Sequence, residues 1–189
     1  MNALPPDLED LMRQIDEADR AADALALPLS EEGFAWQPDG GRSWSVAQCL
    51  DHLAVINVLY GRAIRGGIEA ARARGWGRQG PLALGFFGRT FVKGLEPPVK
   101  MRTRSPRSVQ PHPRAPREEI LRRYHEAHEQ VRALVRDAAT IDANRATFRN
   151  PFLKVLTLRV STGLHAIAAH DRRHLWQAQR VVGRPGFPG

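Results

Sequence analysis

Residues 44–64, WSVAQCLDHLAVINVLYGRAI, carry the clearest helix signal in the chain. Ser45 and Gln48 have the S-x-x-Q spacing of a capping box, in which two side chains satisfy backbone amides at a helix N-terminus. Apolar residues then recur mostly at intervals of three and four, as on one face of an α-helix: Cys49, Leu53, Ile56, Leu59 and Ile64. We predict a helix from the Ser45 cap to about Gly75, weakened at Gly66 and Gly67.

Three other segments show helical periodicity. They cover about Pro6–Leu27, Pro116–Ala139 and Phe152–Val182. No convincing alternating strand lies between them, although Ser161–Gly163 could delay the last helix. Residues 76–115 are rich in Gly and Pro and predict an irregular connection, in which Leu82–Phe91 is apolar enough to pack as a short helix. The expected fold is all-α: an antiparallel four-helix bundle, one domain over residues 1–189, with its long crossover between the second and third helices.

The cysteine content and the N-terminal sequence restrict the classes of protein to which this chain can belong. The chain has 189 residues and a single cysteine, Cys49, which excludes an internal disulfide framework and a Cys-rich zinc ribbon. Low cysteine content and an acidic N-terminus without a signal-peptide pattern favour the cytoplasm. No apolar stretch is long enough to span a bilayer, so we expect no membrane partner.

The net positive charge of the chain raises the question of whether it binds nucleic acid. The net charge is +8, and the densest basic run, residues 100–107, falls in a Pro-containing loop. That run has no interleaved aromatic residues, and the chain has no helix-turn-helix or RNA-binding signature. We therefore expect a solvated basic surface or recognition of a small anion rather than nucleic acid. The role of residues 100–107 stays open.

The last helical segment contains three histidines within ten residues. His170 and His174 lie about 40° apart on successive turns, so both imidazoles can reach one metal ion. The chain lacks the HExxH motif of zinc proteases, and a solvated or core-edge pair is the alternative. His165 lies about 140° round the helix from His170 and is expected to pack or face solvent.

The remaining histidines give weaker indications of a metal site. His125 and His128 share a face of the third segment with Glu126 and Glu129, which indicates an ordinary charged helix surface. His112 is expected in a loop.

His52 borders the apolar face of the second segment. A neutral core histidine is the usual interpretation, but a buried imidazole needs partners for its ring nitrogens. A metal shared with His170 and His174 would supply one, and three protein ligands leave positions open, as in catalytic zinc sites. Gln48 precedes His52 by four residues, and Gln177 follows His174 by three. Each glutamine is therefore a candidate to orient a ligating histidine, and a position on the helix surface is the alternative.

Two motifs resemble the DinB-like (DinB/YfiT-like, DinB_2) superfamily of metal-dependent enzymes. WSVAQCLDHL at residues 44–53 is similar to the start of that family's second helix, and HDRRHLWQ at residues 170–177 is similar to its H-x3-H-x2-Q signature. The resemblance implies a four-helix bundle in up-down-down-up order. It also implies a divalent ion (Ni, Zn, Fe or Mn) bound by His52, His170 and His174. Dimers are common in the family, so a homodimer is expected.

The resemblance implies a metal-dependent enzyme acting on a small molecule. Members include transferases and isomerases that use a low-molecular-weight thiol such as bacillithiol or mycothiol, and many others resemble hydrolases. We expect a thiol-dependent S-transferase or a hydrolase that uses a metal-activated thiolate or water. The alternatives are a non-catalytic metal-binding or stress-associated protein and a basic helical module that binds nucleic acid. No motif selects one activity or a catalytic residue beyond the ligands.

Overall fold

The computed structural model describes residues 3–98, 109–111, 115–153 and 155–188. Within these ranges the chain is predominantly helical, as the all-α prediction requires. Its elements are α1 (Pro6–Ala26), α2 (Glu31–Ala35), α3 (Pro38–Gly41), α4 (Val46–Ala73), α5 (Phe86–Leu95), α6 (Arg117–Ala138), β1 (Thr147–Arg149), β2 (Thr157–Arg159) and α7 (Val160–Val182). None of the helices in the described ranges combines the length and apolar content needed to cross a bilayer.

Helices α1, α4 and α6 begin and end close to their predicted bounds. The predicted capping box at the start of α4 is confirmed: the Gln48 amide donates to Ser45 Oγ over 3.1 Å, and the Ser45 amide donates to Gln48 Oε1 over 3.0 Å. The helix continues through Gly66 and Gly67 without a break. A Cβ atom on Gly67 would lie 2.8 Å from the Thr147 carbonyl oxygen, so glycine permits close approach of β1.

The predictions of no strand and of a last helix from Phe152 are wrong. An antiparallel hairpin pairs β1 with β2, placing Phe148 opposite Leu158, and α7 begins only at Val160. The Asn150 Oδ1 atom accepts the Phe152 amide at 2.9 Å, as a helix cap would, but the chain turns into β2 instead. Each strand has three residues, which is too short for alternation to be distinguished from a helical pattern.

The described part of the connection after α4 contains a helix, as predicted, but it lies at Phe86–Leu95 rather than Leu82–Phe91. Gly88 of this helix faces Thr162 of α7, where a Cβ atom would lie 2.7 Å from the hydroxyl oxygen. Residues 100–107 and His112 lie outside the described residues.

Two apolar clusters form the core. The first cluster includes Leu11, Ile64, Leu134 and Leu164. The second cluster includes Ala22, Leu50, Tyr124 and Ala178. Along α1 and α7 the first cluster precedes the second, whereas along α4 and α6 the second precedes the first. Buried polar side chains lie between the two clusters on α4, α6 and α7, which places the polar chemistry of the molecule near its middle.

Candidate metal centre

Helices α4 and α7 bring His52, His170 and His174 together. Each offers one ring nitrogen, and these three atoms all lie within 4.8 Å of one another. The ring centroid of His52 lies 5.4 Å from that of His170 and 4.7 Å from that of His174. The i, i+4 spacing therefore does place His170 and His174 side by side, and α4 supplies a third imidazole opposite them.

The nitrogen spacing of the α7 pair fits a metal ion. The Nε2 atoms of His170 and His174 are 3.2 Å apart. Two imidazole nitrogens bound to zinc at 2.0–2.1 Å in a tetrahedron are separated by about 3.3–3.4 Å. The three residues therefore suit a divalent cation with little movement of the pair.

The backbone of the crossover fixes the tautomer of His52. Its Nδ1 lies 2.7 Å from the carbonyl oxygen of Val109. Because a carbonyl only accepts, Nδ1 carries the proton and Nε2 keeps its lone pair. Metal-ligating histidines commonly donate their second ring N–H to such an acceptor. Nothing in the sequence around Val109 indicates this contact.

The three imidazoles are held in their neutral form. His52 and His174 are buried, with exposures of 2% and 6%, whereas His170 is partly exposed. Burial is the main cause that lowers the pKa of each ring, that of His170 to about 3. Neutral imidazoles have the free lone pairs that a metal needs.

Trp44 forms one side of the site. Its ring stacks on His174 at 5.6 Å between centroids and tilts over His52 at 4.8 Å. The sequence marks Trp44 only as the residue before a helix cap, so its position beside the histidines was not predicted. An aromatic ring here excludes water from that side of the three nitrogens.

The two glutamines differ in their position. The Gln48 carbonyl is engaged in the capping box, whereas the Gln177 side chain lies close enough to His174 to raise its pKa against burial. His165 lies outside the cluster, and its Nδ1 is 2.8 Å from the Ser161 carbonyl oxygen.

A second set of polar groups, most of them buried, lies next to the three histidines. We call it the polar layer: Asp19 of α1, Asn57 of α4, His128 of α6 and Asp171 of α7. Asn57, His128 and Asp171 are fully buried, and Asn57 Nδ2 donates to Asp171 Oδ1 over 3.0 Å.

The prediction that His128 lies on a charged helix surface is wrong. It is fully buried, while His125 on the same helix is partly exposed and lies 2.9 Å from Asp23. His128 follows Tyr124 by four residues and precedes Val131 by three, and both are core residues. That spacing could have identified the burial, but the neighbouring glutamates suggested a solvent-facing surface.

A protein-family model matches most of the chain. A family described as the DinB superfamily matches residues 14–178, a range that includes all three histidines of the site. Neither the curated proteins nor the solved structures gave a match.

Proposed function

The chain belongs to the DinB superfamily, and on that basis we propose that it is a metal-dependent enzyme whose divalent ion is bound by His52, His170 and His174. The observation that carries this proposal is the donor set: three neutral imidazoles, with His52 oriented by the Val109 carbonyl. A bound divalent ion would lower the pKa of a coordinated thiol or water and so generate a nucleophile near neutral pH.

The residues around the histidines suit this chemistry. Trp44 covers one side of the site, and the partly exposed His170 marks a side from which a small molecule can approach. Since three protein ligands leave positions open, substrate and nucleophile can meet there. We propose a thiol-dependent S-transferase or a hydrolase, with a low-molecular-weight thiol as cosubstrate in the first case. The cation is drawn from Ni, Zn, Fe and Mn, all of which accept neutral imidazole.

Family membership also supports finer proposals on the architecture. We propose one domain over residues 1–189, with α1, α4, α6 and α7 as an up-down-down-up bundle. The opposite order of the two apolar clusters along α1 and α7 and along α4 and α6 supports that arrangement. We further propose a homodimer in the cytoplasm, and light scattering of the purified protein tests the dimer.

Metal analysis tests the metal site. Protein purified without a His tag should contain about one equivalent of divalent metal, because three protein ligands surround one position. His52→Ala and His174→Ala should lose it. His165→Ala is the matched control and should retain it, since His165 lies outside the cluster. Wild-type protein without metal affinity would refute the proposal, and salt-sensitive DNA binding by such protein would favour the basic-module alternative.

Turnover tests the reaction class. The metal-loaded protein is assayed with chlorodinitrobenzene and a panel of small thiols, and product formation that requires His52 supports the transferase. Activity with ester or amide substrates but with no thiol supports the hydrolase instead. Stoichiometric metal without turnover of either kind would favour a metal-binding protein that is not an enzyme.

A further inference from the structure

The polar layer has no part in the metal chemistry proposed above, yet it joins all four long helices beside the metal centre. His128 Nδ1 lies 2.6 Å from Asp19 Oδ1, and His128 Nε2 lies 3.4 Å from Asp171 Oδ2. At its outer end Asp19 also contacts Arg132, whose Nη2 lies 2.5 Å from Asp19 Oδ2. Positive and negative side chains therefore alternate from Arg132 near the protein surface, through Asp19 and His128, to Asp171. Asp171 directly follows His170 in the chain.

His128 differs in charge from the three histidines of the site. Each of its ring nitrogens lies within ion-pair distance of a carboxylate oxygen, and two neighbouring negative charges favour the protonated ring. Burial acts to lower the pKa of His128, but Asp171 and Asp19 outweigh it and raise the value to about 9. The molecule thus contains three neutral imidazoles for a cation and one buried imidazolium a short distance away.

The polar layer includes Asp171, which lies on the same turn of α7 as His170 and His174. Asp171 projects about 100° from His170 and about 60° from His174, so it contacts Asn57 and His128 instead of His52. On another side of the same turn, Arg172 Nε lies 3.0 Å from Glu96 Oε2. Contacts from α6 and from the crossover therefore hold this turn from two directions.

We propose that His128 is a positioning residue for the metal centre: by joining Asp171 of α7 to Asp19 of α1, it fixes the rotation of the turn that carries His170 and His174. The inference rests on the proposed metal-binding function. Rotating a helix by about 10° moves an atom 5–6 Å from its axis by about 1 Å. Metal–ligand distances tolerate deviations of only about 0.2 Å, so a small rotation is sufficient to weaken the site.

The test is Co²⁺ binding to the full chain, followed by the visible d–d absorption and by competition with a chelator. His128→Gln removes the cation and leaves one amide that cannot serve both carboxylates. It should weaken Co²⁺ binding about tenfold, the lower end for groups that support metal ligands, and change the absorption spectrum. His165→Gln is the matched control and should keep the affinity and spectrum of the wild type, because His165 is on α7 but contacts the Ser161 carbonyl instead.

The spectrum separates positioning from simple structural support. Loss of stability alone lowers the folded fraction but leaves the absorption of the folded protein unchanged, whereas displaced ligands alter it. If His128→Gln does not fold, Asp19→Asn replaces it, and a smaller loss of about threefold with the same spectral change is expected. Wild-type affinity and spectrum in the folded variant overturn the inference. Failure of wild-type protein to bind Co²⁺ overturns the proposed metal site itself, so the two failures are distinguishable.

Discussion

Raising the pH should destabilise this protein through His128. The unfolded side chain releases its proton near the ordinary histidine pKa of 6.5, whereas the folded protein retains it up to about 9. Between these values His128 binds more protons in the folded state, so its contribution to the free energy of unfolding falls as pH rises. The lowered pKa values of His52, His170 and His174 act in the opposite sense near pH 6.5, and they are common to the wild type and to a variant at position 128. One pKa unit corresponds to about 1.4 kcal/mol, and the interval therefore gives a loss of about 3 kcal/mol at most. The assay is urea unfolding of metal-free protein, followed by helical circular dichroism between about pH 6 and pH 9.5, a range that brackets both values.

The comparison with His128→Gln isolates this contribution. The variant should be less stable than the wild type near pH 6.5, and the difference should shrink as the pH approaches 9. His165→Gln is the control and should keep the wild-type slope. Cys49 is buried with a raised pKa and also titrates in the alkaline range, but it contributes equally to all three proteins. Parallel curves for wild type and His128→Gln would refute a buried imidazolium at this position.

Three further predictions concern the surroundings of the site. Gly67→Ala should be less stable than the adjacent Gly66→Ala by about 1–3 kcal/mol in urea unfolding, because only Gly67 faces the Thr147 carbonyl at 2.8 Å and a Cβ on Gly66 meets nothing within 4 Å. Equal stabilities would show that β1 does not approach α4 there. Ser45→Ala should lose about 1 kcal/mol in the same assay, since it removes the α4 cap, and an unchanged midpoint would contradict the capping box. Ni²⁺ should quench tryptophan fluorescence, and Trp44→Phe should lose most of that quenching; full quenching in the variant would place the ion away from Trp44.

The long helices could be predicted because local chemistry determines them. The capping box at Ser45 depends on residues three apart, and the apolar stripe of α4 is continuous, so its start was clear. The hairpin could not be predicted, because Asn150 and Pro151 match a helix start and a tight turn equally well. Long-range contacts decide between them: Asn150 Nδ2 donates to Tyr60 Oη over 2.9 Å, and that contact is invisible in local sequence.

The candidate site could likewise be predicted only where residues close in sequence determine its geometry. The proximity of His170 and His174 follows from helix geometry alone, with no tertiary information. His52 lies on another helix, and its link with them rested on the need of a buried imidazole for a partner and on the resemblance to a family. The Val109 carbonyl lies 57 residues beyond His52 and has no side-chain signature, so no pattern in the chain could have indicated it.

The contact between His52 and Val109 has an evolutionary consequence. The acceptor is a main-chain oxygen, which every amino acid provides at that position. Substitution of the side chain at 109 therefore leaves the acceptor in place as long as the backbone keeps its path. A changed number of residues in the crossover would move that oxygen, so natural variants should tolerate replacements near 109 far better than insertions or deletions.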